Sequence, residues 1–379
     1  MNGNPRTVNT IRDITTAIMT GRNSDDESEE ISKDERLGIV GPSILMNQRN
    51  FNMINNLPVE YMHSVCLGIV KRMLELTFKV GDVREKISKC PLIPPKQFND
   101  LIRDVRVPRE FSRRCRQMNL SIMKAQELRN VLLFFFPIVI NCIADTFCNE
   151  RKIWLLLVFM IRACVVPNVE FYHVNTDLIT NCCLEFYHMF ENLYGPKQCS
   201  YSIHVVSSHL LQIRRNQPLT FSSAFRFESF YAEMKNCFRP GTTSTLKQIM
   251  QNVMMKRRVE YHVCHKTLFL KPDKIVRENQ RKNVPKESNN LIYTFENEEH
   301  VIYKILDISD DTHVTCVRVG KYEVFFPETP NLSWKEIGVF RAGPLCHKRC
   351  KVHIARICGK VLKVLNYLIT CPSNVLREQ

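Results

Sequence analysis

No apolar run in this sequence reaches bilayer length. The two most apolar stretches, Val131 to Ala144 and Ile153 to Val166, are each about 14 residues long, short of the roughly 20 a helix needs to cross the hydrocarbon core. Pro137 interrupts the first and Arg162 the second, and Asp145, Glu150, Arg151 and Lys152 separate them. Two buried core helices are therefore expected, with no membrane as partner. The first twenty residues have no apolar core of the kind a secretory leader carries. Neither GxxxxGK[ST] nor GxGxxG occurs, so nothing points to a nucleotide. No segment repeats, and no serine or cysteine sits in a recognisable nucleophile turn.

The chain has 379 residues, of which 44% are hydrophobic and 24% charged, enough for one large or two ordinary domains. Its 16 cysteines are scattered, and Cys142, Cys164, Cys182 and Cys183 fall in apolar helical stretches. That pattern predicts reduced, buried thiols in an intracellular protein rather than a disulfide scaffold. The formal net charge is +15. It is unevenly spread, because Asn23 to Arg36 holds seven acids against Lys33 and Arg36. Such a basic excess suits a nucleic-acid partner, since neutralising phosphates supplies most sequence-independent affinity.

Five regions follow from the patterning. Residues 1–36 have few apolar anchors and end in the acidic run, so they read as mostly disordered. Residues 37–270 read as helical, with helices over Pro58 to Phe78, Lys124 to Phe136, Ile153 to Cys164, Asn175 to Tyr194 and Ser244 to Arg258. Gly195-Pro196 stops the fourth. The fifth groups Leu246, Ile249, Met250, Val253 and Met254 on one face. Residues 271–290 are polar, contain Pro272 and Pro285, and read as a linker. Residues 291–342 change period. Leu291 to Phe295, His300 to Leu306, His313 to Val319 and Tyr322 to Phe326 read as strands of a small, mainly antiparallel β module. Asp310-Asp311 and Gly320-Lys321 stand at turn positions between them. Residues 343–379 read as an irregular, basic, cysteine-containing tail.

Four constellations could carry chemistry. Glu60 and His63 are three apart at a helix start and share a face, which suits either a metal pair or a local hydrogen bond. Glu228 lies in the aromatic run Phe221 to Phe230, with Lys235 and Arg239 beyond it. A buried carboxylate there needs a cation or metal; an exposed one is simply the wet face of a helix. Tyr201 to His209 holds His204 and His209, whose five-residue spacing does not place them on one helical face. Cys346, Cys350, His353 and Cys358 offer thiolate and imidazole groups for a tetrahedral zinc ion, although their spacing matches no common zinc module.

In order, these segments resemble CACTA (En/Spm)-type DNA transposases of the animal type. Leu57 to Leu74 is similar to their PLDYMH-x-VCLG block. Lys124 to Arg129, followed by Pro137, is similar to their KA-x-E-x-R helix. Tyr201 to His209 is similar to YN-x-H-x-x-x-H-L, and Ser223 to Arg239 to SAF-x-FE with trailing basic residues. The match spans residues 40 to 260, and the β module resembles the C-terminal part of animal members more weakly.

The resemblance implies a mainly α protein with a small β module. It would be the helical insertion and C-terminal part of an RNase H-like transposase domain, with the upstream strands missing. It implies a nuclear setting, DNA as partner, and metal-dependent strand transfer in the active family, where two Asp and one Glu hold paired Mg²⁺ ions. Glu228 stands where the family has its catalytic Glu, and Glu60 with His63 where it has Asp-x-x-His. The sequence departs from that pattern. Only 59 residues precede Glu60, and no pair of strand-borne aspartates is visible among them. Glu60 also replaces the family's Asp, which moves the carboxylate by about 1 Å, a misplacement that can cost roughly 100-fold in rate. The expectation is a transposon-derived protein, catalytically incomplete as this chain, with no certain cofactor. DNA contacts are expected at Arg214, Arg215, Lys235, Arg239, Lys256, Arg257 and Arg258. The alternatives are a fragment of an active transposase, with Mg²⁺ as cofactor, and an interaction module whose β part binds another protein.

Overall fold

The computed structural model describes residues 8–23, 41–52, 56–57, 59–78, 95–103, 105, 111, 117–139, 148–165, 176–210, 218–236, 248, 250–255, 290–297, 299–308, 312–324, 326, 329–364 and 367–372. The chain is mainly helical, with a small antiparallel β module at its C-terminal end. It divides into two units: residues 1–94, 120–128 and 143–222 form one, and residues 95–119, 129–142 and 223–379 form the other.

In the first unit, helices Cys148–Val165 and Thr176–Tyr194 pack against each other. Ile179, Cys182, Cys183, Phe186, Tyr187 and Phe190 recur every three or four residues along the second, and all are buried. That spacing is what a core-facing stripe requires. Thr77 ties three helices together: it accepts a hydrogen bond from Trp154 Nε1 at 3.1 Å and shares another with Tyr194. Gly195, at φ +83, ends the helix after Tyr194, and its N–H donates to Glu191 O at 2.8 Å. Part of the segment expected to be disordered, residues 1–36, is ordered, while the acidic run after Asn23 lies outside the described residues. Val8–Asn23 is a helix, because Ile11, Ile14 and Ile18 repeat at helical spacing and Thr15 and Ile18 are buried.

The expected first helix begins as a π-helix, Tyr61–Val70, and continues as α-helix Lys71–Phe78. A π segment of this length is rare, since π geometry occurs mostly as single-turn bulges inside α-helices. A shorter one, Val131–Phe135, follows the α-helix Ala125–Asn130 and precedes Phe136–Val139. Phe136 N–H donates to Val131 O in that wider turn, and Pro137, whose ring crowds the carbonyl four residues back in a regular α-helix, follows directly. Among the described residues no helix is long and apolar enough to cross a membrane. Of the fifth expected helix, residues 250–255 are helical, but Met250 and Met254 are exposed. Pro58, the linker 271–289 and the turn Asp310-Asp311 lie outside the described residues.

The β module is a closed six-stranded barrel in the order β1-β2-β3-β4-β6-β5. Its strands are β1 Leu291–Glu296, β2 Glu299–Ile308, β3 His313–Glu323, β4 Val339–His353, β5 Gly359–Val364 and β6 Tyr367–Pro372. All pairs are antiparallel, and β1 closes the barrel on β5 at Ile292↔Lys360 and Tyr293↔Gly359. Side chains alternate across a strand, and both faces of β1 and β2 are buried. Ile292, Tyr303 and Ile305 join Val314, Cys316 and Val352 on one side; Leu291, Tyr293 and Ile302 join Val319, Phe340, Val361 and Leu368 on the other.

Two expectations are corrected here. The stretch from residue 343 onward is not an irregular tail, since β4 runs through to His353 and two more strands follow. Gly320-Lys321 is not a turn but lies inside β3. Glycine is required at 320 because a Cβ there would stand 2.7 Å from Pro344 O. It serves the close approach of β4 at an irregular register.

Candidate functional site

Glu60 caps the π-helix. Its Oε1 accepts from Met62 N at 2.8 Å, and its Oε2 accepts from His63 N at 2.5 Å, with His63 Nδ1 at 2.6 Å from the same oxygen. The carboxylate is therefore turned onto the orphan amides of its own helix start, where a capping side chain belongs. The pair forms, but its geometry is that of a cap.

Ser222, just before the SAF-x-FE block, donates to Val59 O at 2.9 Å. The helix Tyr201–His209 lies against the π-helix at Gly68, where a Cβ would stand 2.5 Å from Ser202 Oγ. The first and third sequence blocks thus meet at a glycine-to-serine contact. His204 and His209, which spacing alone does not bring together, are both buried. Their rings meet edge-on with centroids 5.1 Å apart. Ser208 Oγ is 3.5 Å from His204 Nδ1, and Ser207 Oγ donates back to Ile203 O at 2.7 Å.

In the second unit, Glu228 lies in the first turn of helix Phe225–Asn236, one turn after Ala224, whose carbonyl accepts its N–H at 2.9 Å. Phe225 is buried, and the buried guanidinium of Arg129 lies over its ring, 4.8 Å from the centroid. This contact joins the second block to the fourth. Phe227 is 67% exposed and Tyr231 63% exposed, and Glu228 and Lys235 are exposed too. Glu228 is therefore not a carboxylate walled in by aromatics; it stands on the wet face of the helix. Arg214, Arg215, Arg239, Lys256, Arg257 and Arg258 lie outside the described residues.

Cys346, Cys350, His353 and Cys358, the zinc candidates, are not gathered into one ligand group. Cys350 packs with the cluster around Ile305 and Cys358 with the cluster around Tyr293. Cys350 Sγ donates to Cys316 O and Cys358 Sγ to Arg356 O, each at 3.6 Å, and His353 Nδ1 accepts from Ala355 N at 3.1 Å. Among the described residues no three or more His, Cys, Asp or Glu side chains are placed to hold a metal ion. Glu60 is folded onto its own helix cap, and Glu228 stands on an open helix face.

Two features of the barrel have no counterpart in residue spacing. His313 and His353 are partners across β3 and β4, with ring centroids 4.8 Å apart. His300 is buried and ringed by Tyr293, Phe295 and Phe340. Strand register, which sequence spacing does not reveal, brings each group together.

Compared with known proteins, the chain matches no family model, no curated protein and no solved structure.

Proposed function

We propose that this chain is a transposon-derived protein, related to the C-terminal part of CACTA-type transposases, which binds DNA and does not itself carry out strand transfer. The observation that carries the reading is the order of the four sequence blocks between Leu57 and Arg239. An RNase H-like ancestry of the helical region and a nuclear setting belong to the same proposal. Two contacts support it: Gly68 against Ser202 joins the first and third blocks, and Arg129 over Phe225 joins the second and fourth. Residues inherited as a working unit are expected to touch, whereas chance matches are not. The +15 charge supports a DNA partner. The reading without chemistry is supported by Glu60, whose two oxygens serve its helix cap.

The test is incubation of the full chain with duplex DNA and Mg²⁺, read as nicking and end joining. Neither is expected. Magnesium-dependent joining that disappears in Glu228→Gln would make the chain part of an active transposase. Filter binding against salt checks the DNA partner, and an affinity indifferent to salt would remove it.

A further inference from the structure

Charge is divided unevenly along the sequence of the barrel region. From Leu291 to Glu336 the sequence carries nine acids and four Lys or Arg; from Ile337 to Pro372 it carries seven Lys or Arg and no acid. The one-signed half is β4, β5 and β6. Arg341, Lys348, Arg349, Lys351 and Arg356 are all exposed, as are His347 and His353. Among the described residues none of these five cations is in an ion pair. The ion pairs described in the barrel are Lys321 with Glu299 and Lys335 with Glu323.

The topology leaves this segment open. β4 pairs with β3 along its length, but with β6 only at Val339, Phe340 and Arg341. From Ala342 to His353 its second edge has no strand partner among the described residues. Register then sets the cations in rows. Arg349 faces Val317, and Val317 faces Lys304, so Lys304 and Arg349 share a face two strand spacings apart, roughly 9.6 Å. The next row holds Lys351, Thr315 and Asp307, the one acid in these rows. Arg349 and Lys351 are about 6.8 Å apart along the strand, which equals about two base-pair rises of a duplex measured along its axis. Lys348 projects to the opposite face and widens the basic ribbon.

Charge on an open strand edge guards against edge-to-edge pairing. That guard works with either sign and needs only a residue or two. It does not require that every acid of the module be kept off this half. A row of cations without ion-pair partners suits a polyanion.

We propose that β4, from Arg341 through His353 and on to Arg356, is a docking surface for the phosphate backbone of duplex DNA, held without regard to base sequence. The proposal rests on the DNA-binding reading above and places that contact on the barrel rather than on the basic residues of the helical region.

The experiment is fluorescence anisotropy of a labelled duplex of arbitrary sequence, titrated with the full chain at several salt concentrations. The wild type should lose affinity linearly in log–log form, by about 0.9 per phosphate neutralised. The variant Lys348→Glu/Arg349→Glu/Lys351→Glu should bind at least roughly tenfold more weakly, with a slope shallower by about 3. The neutral set Lys348→Gln/Arg349→Gln/Lys351→Gln should fall between, and circular dichroism should show the strand signal kept in both. Unchanged affinity and slope in both variants overturn the proposal. If Arg214→Glu/Arg215→Glu alone abolishes binding, the β4 placement falls while the DNA reading stands. If the wild type does not bind duplex even at low salt, both fall. In that case, a dimer in light scattering that the triple reversal dissolves would assign the basic edge to the acidic half of a second copy.

Discussion

The guanidinium carbon of Arg129 lies 4.8 Å from the centre of the Phe225 ring, and both side chains are buried. A desolvated cation over an aromatic face is worth about 2 kcal/mol, and losing the face leaves the charge against poorer company. Phe225→Leu should therefore lower the unfolding free energy by roughly 2 kcal/mol in a urea titration. Phe227→Leu, two residues on and largely exposed, should change it by less than about 0.5 kcal/mol. Equal effects at the two positions would remove any special role for the ring over Arg129.

At Glu60 the distinction is between cap and ligand. Glu60→Ala should cost about 1 kcal/mol of stability, as the loss of an N-cap does. Glu60→Asp should recover most of it, because a shorter carboxylate is itself a good cap. Thermal unfolding of the two variants decides the matter: a capping role is ruled out if alanine and wild type melt alike.

Gly338 stands at φ +76, and a Cβ there would lie 1.8 Å from Thr370 Oγ1. The Gly338 carbonyl also accepts from Thr370 N at 2.9 Å, which pins the start of β4 to β6. Gly338→Ala combines strained backbone with a clash and should destabilise the barrel by about 2 kcal/mol or more. Trp334, buried close by, offers a fluorescence signal. The account fails if denaturation followed by tryptophan emission is unaltered.

Two thiols give a pH dependence. Burial pushes the Cys182 thiol up to about 12, helped by the negative charge of Glu185, and burial pushes Cys316 up to about 12, helped by Cys350. The unfolded chain loses these protons from about pH 8.5 while the folded chain keeps them. The contribution is whole below that pH and is lost as pH rises toward about 12, at up to ~1.4 kcal/mol per pH unit for each thiol. The urea midpoint under reducing conditions should fall between neutral and strongly alkaline pH, and Cys316→Ala should lessen the fall. An identical fall in wild type and variant would exclude Cys316 as a source.

The helices were readable in the sequence where a face is fully buried. Ile179 to Phe190 repeats at three and four residues, and Ile153 to Cys164 is apolar for most of its circumference, so period alone located both. The first strands were readable for a similar reason, because β1 and β2 are buried on both sides and rich in β-branched and aromatic residues. β4 was not. Its middle is exposed on both faces, so there is no alternation of apolar and polar residues to detect, and Gly343-Pro344 resembles a break. Gly320 resembled a turn for want of any local sign that Pro344 would approach it. At the candidate site, the Glu60–His63 contact was legible because it is local. The His204–His209 approach was not, since helical spacing places them apart.

Closure of the barrel has a consequence for the order in which the chain is synthesised. β1 finds its second neighbour only in β5, more than sixty residues later. Until Gly359 and Lys360 leave the ribosome, the hairpin of β1 and β2 carries two greasy surfaces and a free hydrogen-bonding rim. Such a nascent species is prone to join its like, and pairing across so long a separation is slow. A premature stop between the end of β2 and the start of β5 should therefore yield an insoluble polypeptide rather than a smaller, well-behaved one.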